Sequence, residues 1–100
     1  MVEYKSEDGK LICCFAGRID TAATMELENE LIEKVQHAKC SVIFDFANLE
    51  YIASSFLRTC VKAARVVAGH SKLTVINASE NILHILKMTG FDKMMDIKED

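Results

Sequence analysis

Ser41-Val42-Ile43-Phe44-Asp45-Phe46-Ala47-Asn48-Leu49-Glu50-Tyr51-Ile52-Ala53-Ser54-Ser55-Phe56-Leu57-Arg58-Thr59-Cys60 is the stretch whose reading decides the fold. Val42 to Phe46 is short, apolar, β-branched and aromatic, the signature of a buried strand. A short half-polar loop follows, and two serines then stand where Phe56, Leu57, Cys60, Val61, Ala64, Val67 and Ala68 begin to recur at helical spacing. Gly69 is placed to stop that helix. The free amides at the start of a helix point into the preceding loop, and the helix dipole favours negative charge there. A hydroxyl at this point can cap the helix or accept a phosphoryl group, which makes Ser54 and Ser55 the first candidate functional residues.

Working outward toward the N-terminus, Val2 to Lys5 and Lys10 to Ala16 flank Ser6-Glu7-Asp8-Gly9, which suits a tight turn between antiparallel strands. Leu11 to Ala16 is nearly continuous in apolar character, so a central strand with both faces covered is expected. Asp20 is an expected N-cap, and Leu27, Leu31, Val35 and Ala38 form one face of the helix behind it. Glu26, Glu30, Glu33 and Lys34 form its solvated face. Toward the C-terminus, Lys72 to Ile76 predicts a strand, and Ser79 caps a helix whose Ile82, Ile85 and Leu86 face inward before Gly90. Phe91 to Ile97 predicts a last short strand. Strands alternating with helices imply right-handed crossovers and an α/β domain, with helices packed against a mixed sheet.

At 100 residues, the chain is expected to form a single domain over 1–100. Half of its residues are hydrophobic, 27 % are charged and proline is absent, which fits a globular core. A net charge of −3, with Lys and Arg spread along the chain, offers no basic field for nucleic acid. No apolar run reaches the roughly 20 residues that span a bilayer, and Glu3, Glu7 and Asp8 do not fit a signal peptide, so no membrane insertion and a cytoplasmic location are expected. Cys13, Cys14, Cys40 and Cys60 lie in apolar segments without metal-site spacing and read as reduced thiols. Neither the carboxylates nor His37, His70 and His84 form a catalytic or metal-binding pattern, and no phosphate-cradling glycine motif is present. A non-enzymatic protein without cofactor or metal is expected.

Three local patterns resemble the STAS domain, and in particular the bacterial anti-sigma-factor antagonists. Gly17-Arg18-Ile19-Asp20-Thr21-Ala22 resembles that family's Gly-x-apolar-Asp segment, with Asp20 at the acidic position. Ser41 to Leu57 resembles the strand and loop leading to its Asp-Ser-Ser-Gly-Leu signature, and Leu73 to Asn77 with Ile82 to Phe91 resembles its C-terminal third. The resemblance implies a STAS-like mixed sheet of about five strands with three to four helices. It also implies a regulatory module that binds an anti-sigma factor serine kinase or similar switch protein and is switched by phosphorylation of Ser54, with Ser55 as the alternative. Ala53 and Phe56 depart from the signature, standing where it has Asp and Gly.

The partner-binding surface expected from this reading comprises Asp20, Thr21, Leu49, Tyr51, Ile52, Ser54, Ser55, Phe56 and Arg58, because the connection before the helix is unusually apolar for a surface segment. The competing expectation is that Tyr51, Ile52 and Phe56 fold back into the core and that Ser54 or Ser55 simply caps the helix. The alternative function is a non-phosphorylated accessory subunit that docks on a transporter or signalling complex.

Overall fold

The computed structural model describes residues 2–38 and 40–98. A hairpin opens the chain, with β1 (Val2–Glu7) and β2 (Lys10–Ile19) joined by a turn in which Asp8 and Gly9 both take positive φ, 50° and 73°. Such a pair is the requirement of the two-residue turn that matches strand twist, and Asp-Gly meets it at low strain. Then follow α1 (Thr21–His37), β3 (Ser41–Ile52), α2 (Ser54–Val67), β4 (Thr74–Ile76), α3 (Glu80–Met88), a single 3₁₀ turn (Phe91–Lys93) and β5 (Asp96–Ile97). The last predicted strand is thus shorter than expected, with its first half wound into the 3₁₀ turn.

The sheet order is β1-β2-β3-β4-β5, antiparallel between β1 and β2 and parallel from β2 to β5. Each crossover steps to the next strand in the same direction, and right-handed crossovers then place every helix on one face. The burial pattern follows. Leu11, Cys13 and Phe15 of β2 and Val42, Phe44 and Phe46 of β3 belong to the core with Leu27, Leu31 and Val35 of α1, Cys60 and Val67 of α2, and Ile82 and Leu86 of α3. Ile12, Cys14 and Ala16 of β2 and Ile43 of β3 lie on the opposite face, only half-buried. The expectation that β2 is central with both faces covered is therefore corrected: β3 is the middle strand, and among the described residues the strict strand order leaves one face of the sheet without a helix layer.

Two further expectations change at β3. The connection predicted after Phe46 does not exist as a loop, because the strand runs for 12 residues to Ile52 and only Ala53 separates it from α2. Register shifts between Cys14 and Ala16 and between Gly17 and Arg18 each insert one extra residue on the β3 side. Asp45 Oδ1 accepts the amide of Ala47 at 2.9 Å, a local turn that builds the first of these bulges. The first bulge moves the inward position by one, so Leu49 points into the core where a strict alternation from Phe46 would have put Asn48 and Glu50, and the second bulge restores the phase with Ile52 inward again.

Leu49 and Ile52 are 6 % and 7 % exposed, and Phe56 is 0 % exposed. These three are corrected from surface to core. Phe56 meets Phe15 edge-on at 5.2 Å and Phe46 at 6.2 Å, in a cluster centred on Phe15, which also touches Phe44 at 5.0 Å. Aromatic edge contacts of this kind add to the burial of the rings themselves.

Candidate functional site

At the C-terminal ends of β2 and β3, Ile19 pairs with Ile52, and the Ala53 amide donates to the Ile19 carbonyl at 2.9 Å. That bond sets the starts of α1 and α2 side by side at the end of a parallel sheet where α/β folds gather their functional groups. Four of the expected site residues, Asp20, Thr21, Ser54 and Ser55, are brought together here.

The two helix starts are built differently. Asp20 is the N-cap of α1, its Oδ1 accepting the Ala23 amide at 2.8 Å, while Thr24 donates its hydroxyl to the Asp20 carbonyl at 2.8 Å. At α2 the N-cap is Ala53, which has extended backbone and no side-chain bond to the first turn. Ser54 and Ser55 are the first two helical residues, so neither caps the helix. Ser54 is exposed. Ser55 is half-buried, and its Oγ is enclosed without a hydrogen-bond partner among the described residues.

Ser55 also lines a cavity of about 360 Å³ between α1 and α2, together with Thr24, Met25, Glu28, Asn29, Arg58 and Lys62. Glu28 accepts the Thr59 hydroxyl and, at 3.0 Å, the Lys62 ammonium. The Thr59 bond first and the Lys62 bond second hold the Glu28 carboxyl below its ordinary range. Thr59 is 0 % exposed and also donates to the Ser55 carbonyl at 3.2 Å, which connects the serine pair to the α1–α2 contact.

Of the remaining expected surface residues, Tyr51 is 42 % exposed and Arg58 is exposed. Arg18, at the end of β2, stacks on the Tyr51 ring at 4.5 Å and presents a cation beside the Ser54 end of the sheet. Arg18, Met25, Glu28, Thr59 and Lys62 were not singled out from the sequence as site residues. Met25, 75 % exposed, was the one with a signal, as an apolar residue outside the Leu27, Leu31, Val35 stripe.

The STAS domain model matches residues 1–100. This chain belongs to the STAS domain family. It is similar to BtrV of Bordetella bronchiseptica, named as a candidate anti-sigma factor antagonist, with 31 % identity over 87 residues covering 84 % of this chain and 73 % of BtrV. Among solved structures, the STAS anti-sigma-factor antagonist protein of Planctomyces limnophilus superimposes with a TM-score of 0.90 at 15 % identity, covering 99 % of this chain and 90 % of that one. Unphosphorylated SpoIIAA, an anti-sigma factor antagonist, gives 0.82 at 16 % identity over 100 % of this chain and 90 % of that one. The phosphorylated form of SpoIIAA, described as a Bacillus cell fate determinant, gives 0.76 at 16 % identity, covering 100 % and 93 %. At these identities the structural likeness speaks to the STAS fold.

The uncapped start of α2 carries a prediction. Ala53 has φ −85° and ψ 162°, the extended backbone from which a capping side chain reaches the amides two and three residues on. Ala53→Asp is expected to raise the unfolding free energy by about 0.5–2 kcal/mol, read from urea midpoints at neutral pH. Because position 53 is only 8 % exposed, an unchanged or lowered midpoint would mean that the site has no room for the carboxylate.

Proposed function

We propose that this STAS domain is a regulatory binding module of the anti-sigma-factor antagonist type, which binds an anti-sigma factor serine kinase and is switched by phosphorylation of Ser54. The supporting observation is that Ser54 is an exposed hydroxyl in the first turn of a helix whose N-cap, Ala53, offers those amides no side chain. Phosphorylation would add about −1.5 to −2 charges at the positive end of the helix. Arg58 lies four residues on, at the spacing of neighbours on one helix face, and can pair with the new dianion. Ser55, with its oxygen enclosed, is the less accessible of the two hydroxyls.

The docking surface in this reading is the exposed set around Ser54, comprising Asp20, Thr21, Tyr51 and Arg58, with Arg18 and Met25 beside them. Leu49, Ile52 and Phe56 support it from beneath. A dianion placed in its middle changes charge and solvation on the surface a partner must cover, so binding weakens on phosphorylation. BtrV supports the class of partner by its name alone.

The test is incubation of the domain with a candidate anti-sigma serine kinase and ATP, followed by phosphopeptide mapping and a binding titration. Phosphate is expected on Ser54, to be lost in Ser54→Ala, and phosphorylated protein is expected to bind the kinase at least roughly tenfold more weakly, a difference of about 1.4 kcal/mol. Stable binding with no phosphate on Ser54 would instead favour the accessory-subunit reading.

A further inference from the structure

From the open face of the sheet we infer that this chain forms a two-fold dimer in which a second copy covers that face. Parallel sheets are found almost only with both faces covered, because their side chains are apolar on both sides. Here β2 to β5 are parallel, yet Ile12, Ile43 and Ile76 lie half-buried on the face that carries no helix layer, outside the core. The molecule measures 30 × 28 × 21 Å, the thin dimension fitting one sheet and one helix layer. Its broad face is on the order of the ~800 Å² that each partner contributes to a standard interface.

The occupant is set by the charge pattern. Strand register places Lys5, Ile12, Ile43, Thr74 and Asp96 in one row across the five strands. The row has a cation at one end, an anion at the other and an isoleucine on the middle strand; Asp96 is paired with Lys98 of its own chain at 3.1 Å, an exposed pair that exchanges at little cost for partners on a second copy. Rotation by 180° about an axis lying along β3 at this face sets Ile43 on Ile43 of the second copy, Ile12 on its Thr74, and Lys5 on its Asp96. The next row has the charges of its ends exchanged, with Glu3 beside Cys14 on β1 and β2, Asp45 on β3, Ile76 on β4, and Lys98 just beyond β5, so that Glu3 faces Lys98 of the second copy. A face whose charges reverse sign across its own middle strand is complementary to itself, which is what an isologous interface requires.

Asp45, the acid two residues after Ile43 on β3, comes near its own symmetry mate at the axis, a like-charge contact that the apolar and edge contacts of the interface outweigh. Its Oδ1 accepts from the Ala47 amide at 2.9 Å and from Asn77 Nδ2 at 3.0 Å, so the carboxylate is bonded back onto its own chain. Packed sheets cross at about 30°, so the Lys5 and Asp96 ends meet through flexible side chains and the apolar contact concentrates around Ile43.

Sedimentation of the full chain over a concentration series tests the proposal, and a reversible monomer–dimer equilibrium is expected. Ile43→Lys should weaken self-association by roughly tenfold or more by burying two charges at the axis, with circular dichroism confirming the fold. Lys5→Glu alone should also weaken it, and Lys5→Glu together with Asp96→Lys should restore it. Those two positions sit on opposite edges of one sheet, so the restoration cannot arise within a single molecule. Both are at the rim, which keeps the test decisive even if Ile43→Lys disturbs folding. A chain that stays monomeric throughout, a dimer indifferent to Ile43→Lys in folded protein, or a double variant no better than Lys5→Glu would each overturn the proposal.

Discussion

Phe56→Gly is expected to lower the unfolding free energy by about 3–5 kcal/mol for the deleted ring, with about 1 kcal/mol more for glycine inside a helix. The ring is 0 % exposed and lies between Phe15 and Phe46, so its loss leaves a void bordered by two other rings, with sheet and helix both fixed around it. For a domain whose whole stability is of the order of 5–15 kcal/mol, this change leaves the fold marginal. Calorimetric unfolding reads the loss, and Phe56→Leu should recover a large part of it by refilling the volume. Affinity of the folded fraction for a partner is expected to stay unchanged, because Phe56 contributes no surface. A small stability loss with a large loss of affinity would reverse the assignment and return Phe56 to the docking surface.

Position 56 also shows what the sequence made legible. Phe56, Cys60, Ala64 and Val67 are all buried, at spacings of four, four and three, so the inward face of α2 was visible as a stripe with Phe56 as its first member, although the buried Ala63 was missed and Ala68, counted in the stripe, is exposed. The apolar segment before the helix suggested a surface instead, because a loop would have left Leu49 and Ile52 outside. What hid the answer was the pair of bulges: Phe46, Leu49 and Ile52 repeat every three residues, a period that belongs to no regular strand. By contrast, the caps Asp20 and Ser79 and the Asp8-Gly9 turn were readable, since each is a local arrangement between one side chain and a nearby backbone.

Strand order was the step that no local pattern could supply. The alternation of elements fixed an α/β class, but whether helices cover one face or both depends on whether the order ever reverses, and that is a tertiary fact. Leu11 to Ala16 looked central because Ile12, Cys14 and Ala16 are as apolar as the core residues between them. At the site, Ser54 and Ser55 could be marked as a pair, yet only the helix geometry separates an exposed hydroxyl from an enclosed one. Thr59 escaped notice because the carboxylate it bonds is 31 residues away on another helix.

That same distant pair sets the other large expected effect, on the contact that holds α1 against α2 beside the serine pair. Thr59→Val keeps the buried volume of the side chain and removes the donor to Glu28 and to the Ser55 carbonyl. The expected loss is about 1.5 kcal/mol, at the lower end of the range for hydrogen bonds to charged groups, since Glu28 remains in part exposed and water can replace the hydroxyl. The folded-state pKa of Glu28 is depressed, by the Thr59 bond first and by Lys62 second. A depressed carboxyl contributes stability that is present above its unfolded pKa, near the ordinary 4.5, and is lost as pH falls through the lower folded value. The advantage of the native protein over Thr59→Val should therefore be full at neutral pH and shrink on acidification below about 4.5. Urea unfolding of both proteins across that range measures it, and a carboxyl titration by NMR should show the Glu28 pKa rising in the variant. A difference that stays constant or widens on acidification would mean that Thr59 acts through packing, with the charge on Glu28 irrelevant to how α2 is held.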